Sequence, residues 1–450
     1  MSASGQERVI VVGAGIAGLA AAFRLKQAGH TVLVLEAAPE VGGRMPTITQ
    51  GAYRIDLGAE ILSESYRQMR QLVSDAGLDH LAQPTPDLLG IVRDGRIHRM
   101  RTRSYTGLAR TGLLSLRSKA KAVALFRDLR RAGHLLDWGD LSGAAVLDIE
   151  SVEAYAQRRL NRELLDYLAA PVCAAFFLRA PPELSVVGLF IAVHSLLGKS
   201  TFNFDAGIAT LPQKLAEQLP VETNARVTHV EETGATVSVH WQRAGEPEHT
   251  EQAAAVVLAV PGHTVPDLFP QLPSAQREYL CNLRYAHDLH VHFGLTQPPA
   301  EQAAFILVPR REHPDLAIIV FDHTYAPGRA PKERGLMTLY HTATWSQQHW
   351  DLHDERVRAS ALASLHATLP HIAAHIETHQ EMAYVQRWDR AILTRRAGEY
   401  HALAEFTRSL GPHSRVQLAG DYFAVTTTNS SLTSGERAAQ AVARVLEGRY

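Results

Sequence analysis

Three glycines and one carboxylate mark the first place where this chain could do chemistry. They are Gly13, Gly15 and Gly18 of Gly13-Ala-Gly15-Ile-Ala-Gly18, and Glu36, which follows the apolar run Thr31-Val-Leu-Val-Leu35. In a dinucleotide site each glycine has a separate task. Gly13 permits the tight turn, Gly15 lets the backbone approach a pyrophosphate, and Gly18 allows close packing of helix on strand. With Ile16 and Ala17 they open a helix whose free N–H groups and positive dipole end face the phosphates. Glu36, with Ala37 beside it, stands where its carboxylate accepts ribose hydroxyls and repels the 2′-phosphate of NADP.

The elements that must position these residues surround them. Val9-Ile-Val-Val12 reads as a buried parallel strand, and 31–35 as its neighbour. Between them, Leu19 to Ala28 has helical apolar spacing, ended by Gly29. Further strands are expected at 255–260, closed by Pro261 and Gly262, and at 416–419, ahead of Gly420 and Asp421. Residues 226–240 alternate as a hairpin turning at Glu231-Glu-Thr-Gly234. Residues 100–200 read as mainly helical. Their longest apolar run, 186–197, is shorter than the roughly 20 residues of a membrane span and is expected to be a buried helix.

Composition narrows the function classes. Lys and Arg number 45 against 46 Asp and Glu, a net charge of −1. That gives no basis for a nucleic-acid partner. The two cysteines, Cys173 and Cys281, have no metal-binding spacing and each reads as a buried thiol in a reducing compartment. Among the 23 histidines, the densest group is His287, His290 and His292. On a strand only the last two share a face, so no metal site is expected. The polar Met1–Arg8 segment has no apolar stretch of a secretory signal, and the expected location is cytoplasmic. One stretch is lopsided. Residues 101–131 carry nine Lys or Arg against Asp128, interleaved with Leu108, Leu116 and Val123. It reads as a solvated helical face, or as a surface that touches anionic lipid or an anionic substrate.

Two segments after Glu36 decide which dinucleotide is meant: Gly42-Gly43-Arg44 and Asp56-Leu-Gly58-Ala59-Glu60. With them the chain resembles the flavin amine oxidase superfamily, which includes monoamine and polyamine oxidases, protoporphyrinogen oxidases and phytoene desaturases. The resemblance implies FAD, with 42–44 along its pyrophosphate and flavin, and Gly58, Ala59 and Glu60 also at the cofactor. It implies Val227 against the adenine and Pro261 at the strand end bordering the cofactor. It makes Gly420 and Asp421 the turn that holds the ribityl chain. Ser431, Leu432 and Thr433 would then open a helix, starting near Thr433, aimed at the flavin pyrimidine, where a helix N-terminus stabilises the negative charge of the reduced ring. No cysteine lies near this segment, so FAD is expected to be non-covalent. The branch most similar is the protoporphyrinogen-oxidase-like one, through Tyr167-Leu-Ala-Ala-Pro171, Pro181-Pro-Glu-Leu-Ser185 and Gln386-Arg-Trp-Asp-Arg-Ala391. Its helical membrane-associating part would fall on the basic stretch.

The expected fold is α/β: a Rossmann-like FAD-binding domain of residues 1–90, 205–265 and 385–450, and a second, mixed α+β substrate domain of 91–204 and 266–384. The latter is a discontinuous, helix-rich insertion. The expected function is dehydrogenation of a small molecule at a C–N or C–C bond, by hydride transfer to flavin N5. Its substrate class is cyclic, amine-containing or porphyrinogen-like, and the acceptor O2 or another oxidant. The alternatives are a polyene desaturase with a non-oxygen acceptor and a redox-neutral isomerase. Amine oxidases of the superfamily place a lysine, bridged by water to N5, on a strand where this chain has His290. His290 is therefore the candidate base or hydrogen-bond partner near N5, beside its plain reading as a strand histidine. Tyr422 and Phe423 are read either as the flavin's edge or as core. The sequence leaves the oligomeric state open.

Overall fold

The structure is a computed structural model that describes residues 8–103, 107, 110–196, 198–326, 328–411 and 413–448. The N-terminal segment before Arg8, Leu108 of the basic stretch and Leu197 at the end of the apolar run lie outside these.

Five strands form an all-parallel sheet in the order Val221–Glu222, Thr31–Leu35, Arg8–Val12, Ala255–Leu258, Val416–Leu418. Val9 to Val12 and Ala255 to Leu258 are buried on both faces, as a parallel sheet covered on two sides requires. The helix Ile16–Gln27 covers one face and packs closely on the C-terminal helix Thr428–Leu446. The hairpin Arg226–Thr233 and Thr236–Gln242 turns at Gly234, φ +63°, with Glu231 to Thr233 still in the ladder, so its turn is tighter than the sequence reading placed it.

A second sheet of seven strands runs Gln380–Thr394, Arg284–Leu295, Gly335–His341, Leu316–Phe321, Phe305–Leu307, Leu88–Arg93, Arg96–Arg101. Period-2 alternation divides its long strand in two. Leu289, Val291 and Phe293 join Met337 and Leu339 in a core against the helices Asp354–Thr368 and Pro370–His379. Asp288, His290 and His292 take the opposite face, with His290 paired to Tyr340 and His292 to Thr338. Helices Leu116–Ala132, Val152–Arg159, Ala170–Phe177 and Val186–Leu196 form the insertion. Among the described residues no helix is long and apolar enough to cross a membrane.

Unit boundaries at 90 and 385 would cut Leu88–Arg93 and Gln380–Thr394, both strands of the seven-stranded sheet. We propose boundaries that leave these ladders whole, with both strands in the second unit.

Candidate active site

The three glycines of the loop sit in three different surroundings. Gly13 has φ +100°, and a Cβ there would stand 2.5 Å from the Ala259 carbonyl oxygen. At Gly18 a Cβ would meet the Gly13 carbonyl oxygen at 1.9 Å. At Gly15 a Cβ would meet nothing within 4 Å. The first two glycines serve packing; the third faces open space. Gly15 also caps the helix Ile16–Gln27 without any side-chain hydrogen bond, so the first N–H groups of that helix are left for a ligand. Glu36 closes the neighbouring strand. Its carboxylate accepts from Ala14 N–H at 2.6 Å and Ala38 N–H at 2.8 Å, which fixes its direction and leaves lone pairs for hydroxyl donors. Val227 is buried in the hairpin that follows Ala225, whose N–H donates to the Glu36 carbonyl at 2.8 Å.

The second glycine segment lies against the first. Gly42 N–H donates to Ala14 O at 2.9 Å, and Gly43, φ +57°, places its Cβ direction 3.3 Å from Gly15 Cα. Residues 58–60 stack on this segment in turn. Ala59 N–H donates to Arg44 O at 3.0 Å, and a Cβ on Gly58 would stand 2.3 Å from that same oxygen. Arg44 then reaches across to the other end of the chain, donating to Ala391 O at 2.9 Å and pairing with Asp421 at 2.9 Å.

Asp421 is almost wholly buried. Burial disfavours its charge, but Arg44, Thr426 and Tyr285 overcome this and hold its carboxyl below the usual range. Tyr285 donates to one oxygen at 3.0 Å and Thr426 to the other at 2.6 Å. Both oxygens thus have protein partners, and the residue serves first to tie the Gly420 turn to Arg44. Tyr422 and Phe423 are core residues, buried among Tyr279 and Phe406. Arg395 clamps the same turn through the carbonyls of Ala424 and Tyr422.

The C-terminal helix begins at Thr428, not near Thr433. Thr427 is its N-cap and accepts from Ser430 N–H at 3.0 Å. The run Asn429-Ser-Ser reads from sequence as loop because such side chains compete with helix hydrogen bonds. Here it is the first turn itself. Thr433 sits in the second turn, with its hydroxyl donating to Asn429 O at 2.8 Å, so the first N–H groups of this helix lie ahead of it.

Opposite the glycine segments lies the polar face of the seven-stranded sheet. Glu60 spans the gap: Tyr340 donates to its Oε1 at 2.5 Å, and Asn203 donates to its backbone oxygen at 2.9 Å. His290 stacks at a tilt on Tyr340, ring centroids 4.4 Å apart, and its Nδ1 is 2.9 Å from Asp288. His290 is fully buried, and among the described residues its Nε2 has no partner. Thr338 donates to Asp322 at 2.9 Å, so its oxygen receives the Nδ1–H of His292 at 2.7 Å. Burial, and then His290, pull the pKa of His292 far down, so it is neutral. Burial, and then the charge of Asp322, push the Glu60 carboxyl well above its ordinary value; Asp56 and Asp288 add to this and the Tyr340 bond opposes it. Burial likewise pushes Asp322 up to about 7. Asp56 is taken up by the buried Arg329, whose Nη2 lies 2.6 Å from it. Sequence reasoning missed Tyr340, Asp322 and Arg329, because each joins the site only through the register of distant strands. Among the described residues no group of histidines, cysteines and carboxylates is arranged to hold a metal.

The uncapped helix end, the open space at Gly15 and the oriented Glu36 carboxylate fit a dinucleotide, and the glycine pair beside Arg44 extends that cradle toward the polar sheet face. Residues 16–443 match the family model of flavin containing amine oxidoreductases. The chain belongs to that family and is an FAD-dependent oxidoreductase. It is 23% identical over 455 residues to coproporphyrinogen III oxidase of Bacillus subtilis, spanning 90% of this chain and 91% of that one. Among solved structures it is similar to putrescine oxidase bound to putrescine, with a TM-score of 0.79, 18% identity, and 97% and 99% of the two chains covered. It is also similar to cyclohexylamine oxidase from Brevibacterium oxydans, with a TM-score of 0.75, 19% identity, and 98% and 100% covered. At these identities the structural likeness speaks for the fold. The findings together support oxidation of an amine or a porphyrinogen.

Proposed function

We propose that the substrate is a small amine, oxidised at the carbon next to nitrogen, with oxygen as the final acceptor. Non-covalently held FAD supplies the hydride acceptor when bound; Gly13, Gly15, Gly18, Glu36, residues 42–44, residues 58–60 and the 428–430 helix end would hold it. One observation carries the amine reading. Where the glycine segments meet the polar sheet face, the carboxyl side chains include Glu60, Asp322 and Asp288. The guanidiniums of Arg44 and Arg329 beside them are committed to Asp421 and Asp56. An ammonium needs carboxylates, whereas a macrocycle bearing carboxylates needs free cations. Tyr340, which donates to Glu60, and Tyr325, which feels its charge, are aromatic groups that would suit an organic cation.

A pair of isosteric ligands tests this. tert-Butylammonium and pivalate have the same shape and opposite charge, and neither can be dehydrogenated. Titrated into the holoenzyme and followed by perturbation of the flavin spectrum, the cation should bind at least about tenfold more tightly. Tighter binding of pivalate would reject the amine reading.

The full-length similarity to coproporphyrinogen III oxidase favours a second reading, a porphyrinogen substrate. We also propose that the helix Leu116–Ala132 touches an anionic surface, since it exposes Leu116 and Val123 among Arg117, Lys121, Arg127 and Arg131.

A further inference from the structure

An amine reaches the site as an ammonium. Its nitrogen must lose a proton before the neighbouring carbon can release a hydride, because the lone pair drives that departure. A group at the interface has to take this proton. In the superfamily's amine oxidases the nearby strand carries a lysine; this chain has His290, which is fully buried. Glu60 is placed differently. Its backbone is fixed by Asn203, and Ala59 beside it by Arg44. Its Oε1 is fixed by Tyr340, while its Oε2 accepts no hydrogen bond among the described residues and is not sealed from solvent.

We propose that Glu60 is the base that takes the substrate's proton, with Tyr340 orienting it and Asp322 tuning it. This rests on the amine reading above. The step is R–NH3+ plus Glu60 carboxylate giving R–NH2 plus Glu60 carboxylic acid: one O–H bond forms, one N–H bond breaks, and no electrons change hands. The surroundings favour the products. Glu60 is faced by Asp322 from the helix Asp322–Tyr325, by Asp288 from the long strand, by Asp56, and by the phenols of Tyr340 and Tyr325. Among the described residues of this set the cation is Arg329, which is held by Asp56. Burial and these carboxylates make Glu60 hold a proton tightly, while the same burial disfavours a charged amine. The neutral pair is therefore preferred to the ion pair, and the neutral amine is the form that reacts.

The test has two readouts. First, tert-butylammonium is titrated into the holoenzyme at a series of pH values. A proton on Glu60 competes with the cation, so binding to the wild type should tighten as pH rises, and Glu60→Gln should lose that pH dependence. Second, anaerobic reduction of the flavin by benzylamine is followed against pH. Glu60→Gln should be slower near pH 7 by about 100-fold or more, and should recover as the pH approaches about 10, where the amine is neutral in solution. A Glu60→Gln enzyme that keeps the wild-type pH dependence of binding and the wild-type rate profile overturns the proposal. If wild type is neither bound by tert-butylammonium nor reduced by benzylamine, the amine reading itself has failed. Should Glu60→Gln not hold FAD, Asp322→Asn decides: it should shift the pH dependence of tert-butylammonium binding downward, and an unchanged dependence contradicts the proposal.

Discussion

Arg44 Nη2 lies 2.9 Å from Asp421 Oδ2, joining the second glycine segment to the turn that precedes the C-terminal helix. Asp421 is 1% exposed, and the Arg44 side chain lies against it, donating also to Ala391 O. The pair holds together two stretches that the chain brings from its opposite ends, and both border the proposed flavin site. Replacing Arg44 with alanine leaves a buried carboxylate without its countercharge, which costs about 3–5 kcal/mol. Asp421→Asn removes the buried charge and keeps one acceptor oxygen for Tyr285 or Thr426, and should cost less. Urea unfolding of the two variants should show this order.

The glycine loop gives two variants with opposite phenotypes. Gly18→Ala forces a methyl group against the Gly13 carbonyl and should lower stability by about 1–3 kcal/mol. Gly15→Val places its side chain in open space. It should leave the melting temperature of the cofactor-free protein nearly unchanged and abolish retention of FAD. Flavin absorbance per protein and thermal melts separate the two.

At the other helix, Thr427→Ala removes the cap that Ser430 N–H uses and should cost about 1 kcal/mol, with weaker FAD retention. Thr433→Ala should leave retention unchanged. Equal losses from both would put the working helix end back near Thr433.

The near half of this site is legible in sequence because local rules write it. Gly13, Gly15 and Gly18 must be glycines for reasons of backbone space, and the strand before and the acid after them follow at short range. The far half is not. Tyr340 meets Glu60, and Asp322 meets Thr338, through pairing of strands that are distant in sequence. No spacing announces this. The start of the C-terminal helix was misplaced for a different reason: Asn429-Ser-Ser has low helix propensity, and only the capping hydroxyl of Thr427 and the burial of Asn429 and Ser430 make it helical.

Asp322 makes stability depend on pH in a defined direction. Its pKa rises from the ordinary carboxylate range when unfolded to about 7 when folded, so the native state binds the proton more tightly. Stability is then greatest at low pH and declines as pH rises from about 4 to 7, by an amount on the order of 2–4 kcal/mol. Glu60, raised in the same direction, adds to the trend. Thermal melts of the cofactor-free protein across this interval should fall with pH, and Asp322→Asn should flatten the curve and melt higher at pH 8.

The helix Leu116–Ala132 should bring the protein to vesicles containing anionic phosphatidylglycerol in low salt, and not to neutral phosphatidylcholine vesicles. Arg127→Glu with Arg131→Glu should abolish co-sedimentation without changing flavin content.

The most direct measurement is anaerobic mixing of the FAD-loaded enzyme with a panel of primary amines and, separately, with coproporphyrinogen, watching the visible flavin band. Bleaching by an amine, with recovery and peroxide formation when air is admitted, is the predicted result. Bleaching by the porphyrinogen while every amine leaves the band intact would contradict the account.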